Sequence, residues 1–183
     1  MLRKALIFLL LLFGCKKIDQ EGMEIFTIYE GTHRSTFKYR STNSTYLEFE
    51  VKFDSSAIYK TTIEENQADI NKLFGVSDCK SHHMDNSIRF GWRYYNERLQ
   101  LLWFKHENEV FTYGFITYIK PNVNYTCSID IQSEYYVLCV NNTCEMVPRN
   151  CGIRTNYNKY ILWPYFGGDE TAPHDIKIRL KRL

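Results

Sequence analysis

Leu47-Glu48-Phe49-Glu50-Val51-Lys52-Phe53 sets apolar and charged side chains in strict alternation. Successive side chains of an extended chain point to opposite faces, so this stretch reads as a strand with one buried and one wet face. The rhythm returns at Ile176-Lys177-Ile178-Arg179-Leu180-Lys181. Between them Ile88, Phe90, Trp92 and Tyr94 share one face, with Arg89, Gly91, Arg93 and Tyr95 on the other. Tyr125, Cys127, Ile129 and Ile131 alternate with Thr126, Ser128 and Asp130. Residues 98–105 and 109–119 are more continuously apolar, as strands covered on both faces are. Residues 134–140 and 158–165 complete the set, with fainter alternation at 24–30 and 35–40. The 14 Tyr, 12 Phe and 3 Trp suit the same reading, because aromatic side chains pack well on a pleated surface. One stretch departs from the pattern. Thr62 and Glu65 have the spacing of a capping box, Ile63, Ile70 and Phe74 fall on a helical stripe, and Gly75 suits the end, so one helix is expected at 62–74. Many short strands with one short helix predict an all-β fold, an antiparallel β-sandwich of jelly-roll type.

The first residues carry an address. Met1-Leu2-Arg3-Lys4 is cationic, and Ala5 to Phe13 is an unbroken apolar run, too short to span a bilayer. With Gly14-Cys15 following, this has the layout of a secretory signal peptide. The order Leu12-Phe13-Gly14-Cys15 resembles the lipobox of bacterial lipoproteins, although Phe13 is bulkier than the usual residue there. The resemblance implies cleavage after residue 14, acylation of Cys15, a tether over 15–24 and one sandwich domain over 25–183. It places the protein in the cell envelope, anchored through lipid to a membrane, with the outer membrane as the expected one. The domain would then face the periplasm or the outside. Without residues 1–14 the chain keeps 169 residues, enough for one sizeable core. Losing Arg3 and Lys4 takes the 23 Lys and Arg to 21, equal to the 21 Asp and Glu. A neutral domain has no basic surplus for nucleic acid, whose binding rests on phosphate neutralisation.

Cys79, Cys127, Cys139, Cys144 and Cys151 remain for an oxidising compartment, and five cannot all pair within one chain. Asn141-Asn142 suits a two-residue type I′ turn, which would place Cys139 directly opposite Cys144 at bonding distance. Cys79 with Cys151 is a second pair, leaving Cys127 as a buried thiol.

Phe90-Gly91-Trp92-Arg93, then Asn96 to Leu101, then Tyr135 to Asn142 resemble the strands and hairpin of concanavalin-A-like lectins and glucanases. That resemblance implies a sandwich whose concave sheet face takes glycans. The stretches Ser77 to His83 and Pro164 to Ile176 resemble small bacterial lipoproteins over roughly residues 65–183, a likeness that brings no activity with it.

Three clusters carry chemistry-bearing residues. In Asp78-Cys79-Lys80-Ser81-His82-His83-Met84-Asp85, the two imidazoles could ligate a metal or act in proton transfer. No HExxH or CxxC spacing supports a metal there, and a polar loop is the competing reading. In Gly167 to Asp175, Asp169 and Glu170 could offer oxygens to Ca²⁺ as a structural ion, but Ca²⁺ takes six or more ligands and a tight turn explains the loop as well. On the polar face of 89–95, Arg89 and Arg93 project the same way. With Tyr95, and with Trp103 and His106 nearby, they could grip a ligand by forked hydrogen bonds; cross-strand ion pairs to Glu97, Glu107 or Glu109 are the alternative. The leading expectation is therefore a non-catalytic envelope sandwich that binds a glycan, needing no cofactor. A polysaccharide lyase or hydrolase using His82 or His83, Arg89 and a tyrosine is the second expectation. A structural or assembly component of the envelope is the third.

Overall fold

The structure, a computed structural model, describes residues 17–35, 38–150 and 159–183. The signal and lipobox residues, Cys15, Cys151 and parts of the stretches 35–40 and 158–165 lie outside the described residues. Two six-stranded antiparallel sheets form the body. The first runs β1 (Glu24–Ile28), β12 (Ile176–Arg182), β3 (Tyr46–Phe53), β8 (Asn124–Ile131), β9 (Tyr135–Val140), β10 (Thr143–Pro148). The second runs β2 (Ser41–Thr42), β11 (Lys159–Leu162), β4 (Asn71–Ser77), β5 (Asn86–Tyr95), β6 (Arg98–Glu107), β7 (Val110–Ile119). Strands distant in sequence lie side by side, as in a jelly roll, so the fold class expected from alternation holds.

The two alternating segments that opened the sequence reading pair with one another. Phe53 faces Ile178 and Val51 faces Leu180 in the β3–β12 register, while Glu50 and Lys52 keep to the wet side. The buried faces of both sheets meet in an aromatic core. Phe49 lies 4.7 Å from Phe74 and Phe53 5.2 Å from Trp92, ring centre to ring centre. Such tilted aromatic pairs add to the area they bury.

The expected helix is not formed. Residues Glu64–Ala68 make only a 3-10 turn, and Asn71–Ser77 is strand β4. The capping box of Thr62 and Glu65 gives way to a longer-range cap. The Glu170 carboxylate accepts the N–H groups of Thr62 and Ile63 at 2.8 Å each, and the Asn66 amide at 3.0 Å. Ile70 and Phe74 satisfied a helical stripe only because 70–76 is short and mostly apolar, a length at which the two periods are indistinguishable. Pairing with β5 decides the outcome.

Cys139 and Cys144 form a disulfide and face each other in register, their Cα atoms 4.1 Å apart. The turn differs from the expected type: Asn141 takes a positive φ of 50° and Asn142 does not, the pattern of a type II′ turn. Asn141 is held there by β8, donating its N–H to Thr126 and accepting the Thr126 N–H on its side chain. Cys79 is also disulfide-bonded; the expected pairing with Cys151 lies outside the described residues. Cys127 is a free, buried thiol whose pKa burial pushes well up. No helix among the described residues is long and apolar enough to cross a membrane.

Candidate functional site

Two contiguous cavities of about 710 and 330 Å3, which share Arg34, His83, Arg89 and Tyr165, lie on the outer face of the second sheet. Register explains which side chains reach it. Arg89 pairs with Phe104, and Phe104 with Tyr113. Alternation then sends these three outward while Ile88, Phe90 and Trp92 enter the core. Two steps along, His106 faces Phe111. Tyr165 closes the near side: its backbone exchanges hydrogen bonds with Lys72 at 2.8 and 2.9 Å, and its ring stacks on His33.

Arg89 is the central feature. Its side chain is buried (7% exposed), its Nε meets no acceptor, and it makes no ion pair among the described residues. Burial lowers its pKa to about 10, which leaves it cationic at neutral pH. The competing expectation of an ion pair with Glu97, Glu107 or Glu109 is not met. Glu107 is held by Lys105 at 2.6 Å instead, because Lys105 points to the opposite face, beside Ile88. A second cation, Lys72, lies over the Phe104 ring at 4.7 Å and donates to the Ile70 carbonyl at 2.8 Å. Burial, with repulsion from Arg89, lowers it to about 8. Asp69 and Asp169, from the loops at the rim, are the carboxylates lining the larger cavity, with Arg34 the third cation.

Two imidazoles face this charge. His83 receives its proton partner from β11: its backbone N–H donates to the Tyr160 hydroxyl at 2.9 Å, and its Nδ1 lies 3.0 Å from the same oxygen. His106 is buried with Nδ1 unpartnered. Desolvation, then the Arg89 charge, lowers both pKa values to about 4, so both rings are neutral at pH 7. The unfolded chain protonates these rings near pH 6.5 and the folded chain only near 4. The unfolded state therefore binds more protons in that window, and stability is lost as pH falls from 6.5 to 4. The melting temperature should drop over this range, and His106→Gln should flatten part of the slope. A variant whose slope matches the native one would show that His106 is not held neutral by the fold.

Not every expected residue converges. Arg93 shares the cleft face but is tied down, donating to the Gln100 side chain at 2.8 Å and to the Ala68 carbonyl. Its guanidinium also covers Tyr95 at 4.7 Å, so Tyr95 serves as its platform. Trp103 is not among the residues lining the cleft: it pairs with Phe90 and packs against the core. The reason is Gly114 on β7, where a Cβ would fall 2.4 Å from the Trp103 Nε1, so the missing side chain makes room for the indole. His82 is exposed and lies against His83, outside the cleft lining. Glu170 is spent on the cap at residues 62–66, whereas its neighbour Asp169 lines the cleft. Among the described residues no three His, Cys, Asp or Glu groups gather as a metal site. Arg34, Lys72, Tyr113 and Tyr165 had no chemical motif to announce them; they come from separate elements, and the stretches that held Lys72, Tyr113 and Tyr165 were read for their secondary structure or resemblance, not as parts of one site.

No protein-family model matches the chain, and no curated protein is similar in sequence. Solved structures are similar in shape. Alginate lyase AlyC3 superposes with a TM-score of 0.59 at 10% identity, covering 92% of this chain and 77% of that one. The family PL7 alginate lyase AlyA1 from Zobellia galactanivorans gives 0.56 at 10% identity, covering 89% and 76%. The family GH16 non-specific endo-beta-1,3(4)-glucanase SCLam gives 0.54 at 10% identity, covering 88% and 70%. At such identities the likeness is one of fold, and the chain has the jelly-roll sandwich that these lyases and glucanases share.

Proposed function

We propose that the cleft around Arg89 binds an acidic polysaccharide, one whose sugar rings carry carboxylates, at the cell envelope. The observation that carries this reading is Arg89, a buried guanidinium with no anion of its own at the floor of an open cleft. An unpaired buried charge costs folding energy, and a ligand carboxylate held in a fork is the partner its geometry suits. Phe111 and Tyr113 on the β7 wall offer aromatic faces for sugar rings. Similar folds in alginate lyases and a glucanase support a glycan as the class of ligand. Calorimetry of the protein against uronate polysaccharides and neutral glucans tests it. Affinity is expected for the uronates alone, weakening as Lys72 loses its proton above about pH 8. Equal affinity for neutral glucans would sink the carboxylate reading.

A catalytic reading is favoured by one further observation, the neutral state of His83 and His106 beside Arg89. If Arg89 neutralises a ring carboxylate, the carbon next to that carboxylate becomes acidic enough to lose its proton to a neutral imidazole or to a tyrosinate. The electron pair left behind forms a carbon–carbon double bond, the glycosidic C–O bond breaks, and the leaving oxygen takes up a proton. Hydrolysis is less well served. It requires two carboxyl groups facing each other across the bond; the cleft-facing positions of β5, β6 and β7 carry none, and the two carboxylates that line the cleft, Asp69 and Asp169, come from the rim loops. Appearance of ultraviolet-absorbing unsaturated ends during incubation with a uronate polymer would establish elimination, while binding without it leaves a recognition protein.

The address is also a proposal. Acylation of Cys15 is expected to put a fatty-acid label on the protein, and Cys15→Ser should abolish both label and membrane retention. Retention of a processed Cys15→Ser protein in the membrane fraction would refute the lipobox.

A further inference from the structure

A third cavity, of about 710 Å3, lies between the two sheets and away from Arg89. Its volume falls within the range of small-molecule sites. Phe26 and Phe49 from one sheet and Phe74 from the other form its floor. Trp163 extends that floor, stacked on Phe26 at 5.3 Å and edge-on to Phe74 at 5.5 Å. The rim is cationic: Lys38, Arg40, Lys181 and Arg182 line it, with Glu24 as the carboxylate among the lining residues described. Glu24 is already engaged by Lys38, and Lys181 lies 3.7 Å from Glu50.

Arg40 and Arg182 have no carboxylate partner among the described residues. Burial and the nearby Arg40 charge together lower the Arg182 pKa. Two like charges side by side destabilise a fold unless something between them carries the opposite sign. Two donors in the same place are also unmet: the Arg182 Nη1 and the Trp163 Nε1 are buried without a hydrogen-bond partner. Buried donors are satisfied in nearly all folded proteins, so an orphan pair needs an explanation. An apolar floor, with Lys38 over the Phe26 and Trp163 rings at 4.6 and 5.6 Å and with Arg40 and Arg182 at the rim, describes a ligand with two chemistries. The mouth is also bounded by Ile18 and Gly22, which belong to the first described residues, and Ile18 is 59% exposed.

We propose that this cavity holds a bilayer lipid with an anionic headgroup, its acyl chain against Phe26, Phe49 and Trp163 and its head on Arg40 and Arg182. The cavity shares Lys38, Tyr39 and Trp163 with the smaller of the two cleft cavities, but Arg40, Arg182 and the three Phe rings line it and neither cleft cavity. With Cys15→Ser protein as host, the Arg40 and Arg182 variants therefore test this proposal without touching either earlier reading.

The test is photolabelling of the full chain carrying Cys15→Ser with a diazirine fatty acid, followed by mapping of the modified peptides. Labelling is expected on the peptides holding Phe26, Trp163 and Leu180, with competition by phosphatidylglycerol vesicles. Arg40→Gln, an exposed position that leaves the core untouched, should cut this labelling several-fold. Combined with Arg182→Gln it should cut labelling at least ten-fold, and Arg182→Lys should restore part of it. The diazirine alcohol of the same chain length should label poorly. Equal labelling by the alcohol, or labelling unaffected by Arg40→Gln, would overturn the proposal. Competition by inorganic phosphate as strong as by vesicles would also overturn it, because the site would then read only the head.

Discussion

Arg89→Met is expected to raise the melting temperature while removing affinity for an acidic glycan. The two effects have one cause. Arg89 is buried with Nε unpartnered and no ion pair among the described residues, so the folded chain carries an uncompensated charge. Met has similar length and no charge, and exchanging buried charge for apolar volume often stabilises by about 1 kcal/mol or more. Binding moves the other way. A hydrogen bond to a charged group contributes about 1.5–3 kcal/mol, and a fork makes two. A loss near 3 kcal/mol corresponds to roughly a 100-fold weaker dissociation constant. Thermal unfolding and calorimetry on the same preparation read both numbers. A variant that binds as tightly as the native protein, or that melts well below it, would mean that Arg89 serves the fold rather than a ligand.

Asp78→Ala should be the most destabilising single substitution in the molecule. Asp78 is fully buried and so is its partner, with the Arg149 Nε donating to Oδ2 at 2.6 Å. The Tyr136 hydroxyl donates to the same oxygen at 2.8 Å, and the Cys79 N–H to the other at 2.8 Å. Arg149 also donates to the carbonyls of Gln132 and Ser133, so one carboxylate joins β4, β9 and the loop after β8. Removing it takes from the buried guanidinium the carboxylate that its Nε donates to, and breaking a buried pair in this way costs about 3–5 kcal/mol. That is a large share of the roughly 5–15 kcal/mol typical of a whole domain. Urea unfolding measures the loss. The double variant Asp78→Ala/Arg149→Met should recover part of it, since the guanidinium goes too. A single-variant loss under about 1 kcal/mol would show that water reaches Arg149 when its partner is gone.

The contrast between Asp78 and Arg89 shows where sequence reading stops. In the chain both are charged residues beside histidines or aromatics, within one stretch of twelve. Nothing local says that one is answered by Arg149, 71 positions away, while the other has no ion-pair partner among the described residues. The strands were legible because alternation is local: Leu47 to Phe53 can bury one face only by lying extended against something apolar. The Cys139–Cys144 disulfide was legible for the same reason, a short hairpin whose register follows from its turn. The helix expected at 62–74 failed where the periodic signal was too short to choose, and the deciding contacts, Glu170 on Thr62 and Ile63, came from the far end of the chain.

Alternation and composition thus determined the all-β sandwich and the face that Arg89 would take on β5, because a strand's two faces are set by single-residue steps. Tertiary structure alone decided that Lys72, His83, His106 and Tyr165 would gather round that guanidinium. It also decided that Trp103, two positions from Leu101 in a strand with a bulge-shifted partner, would turn inward over Gly114. Those outcomes depend on strand order and register between distant segments, and register is a property of the pairing that neither strand holds by itself.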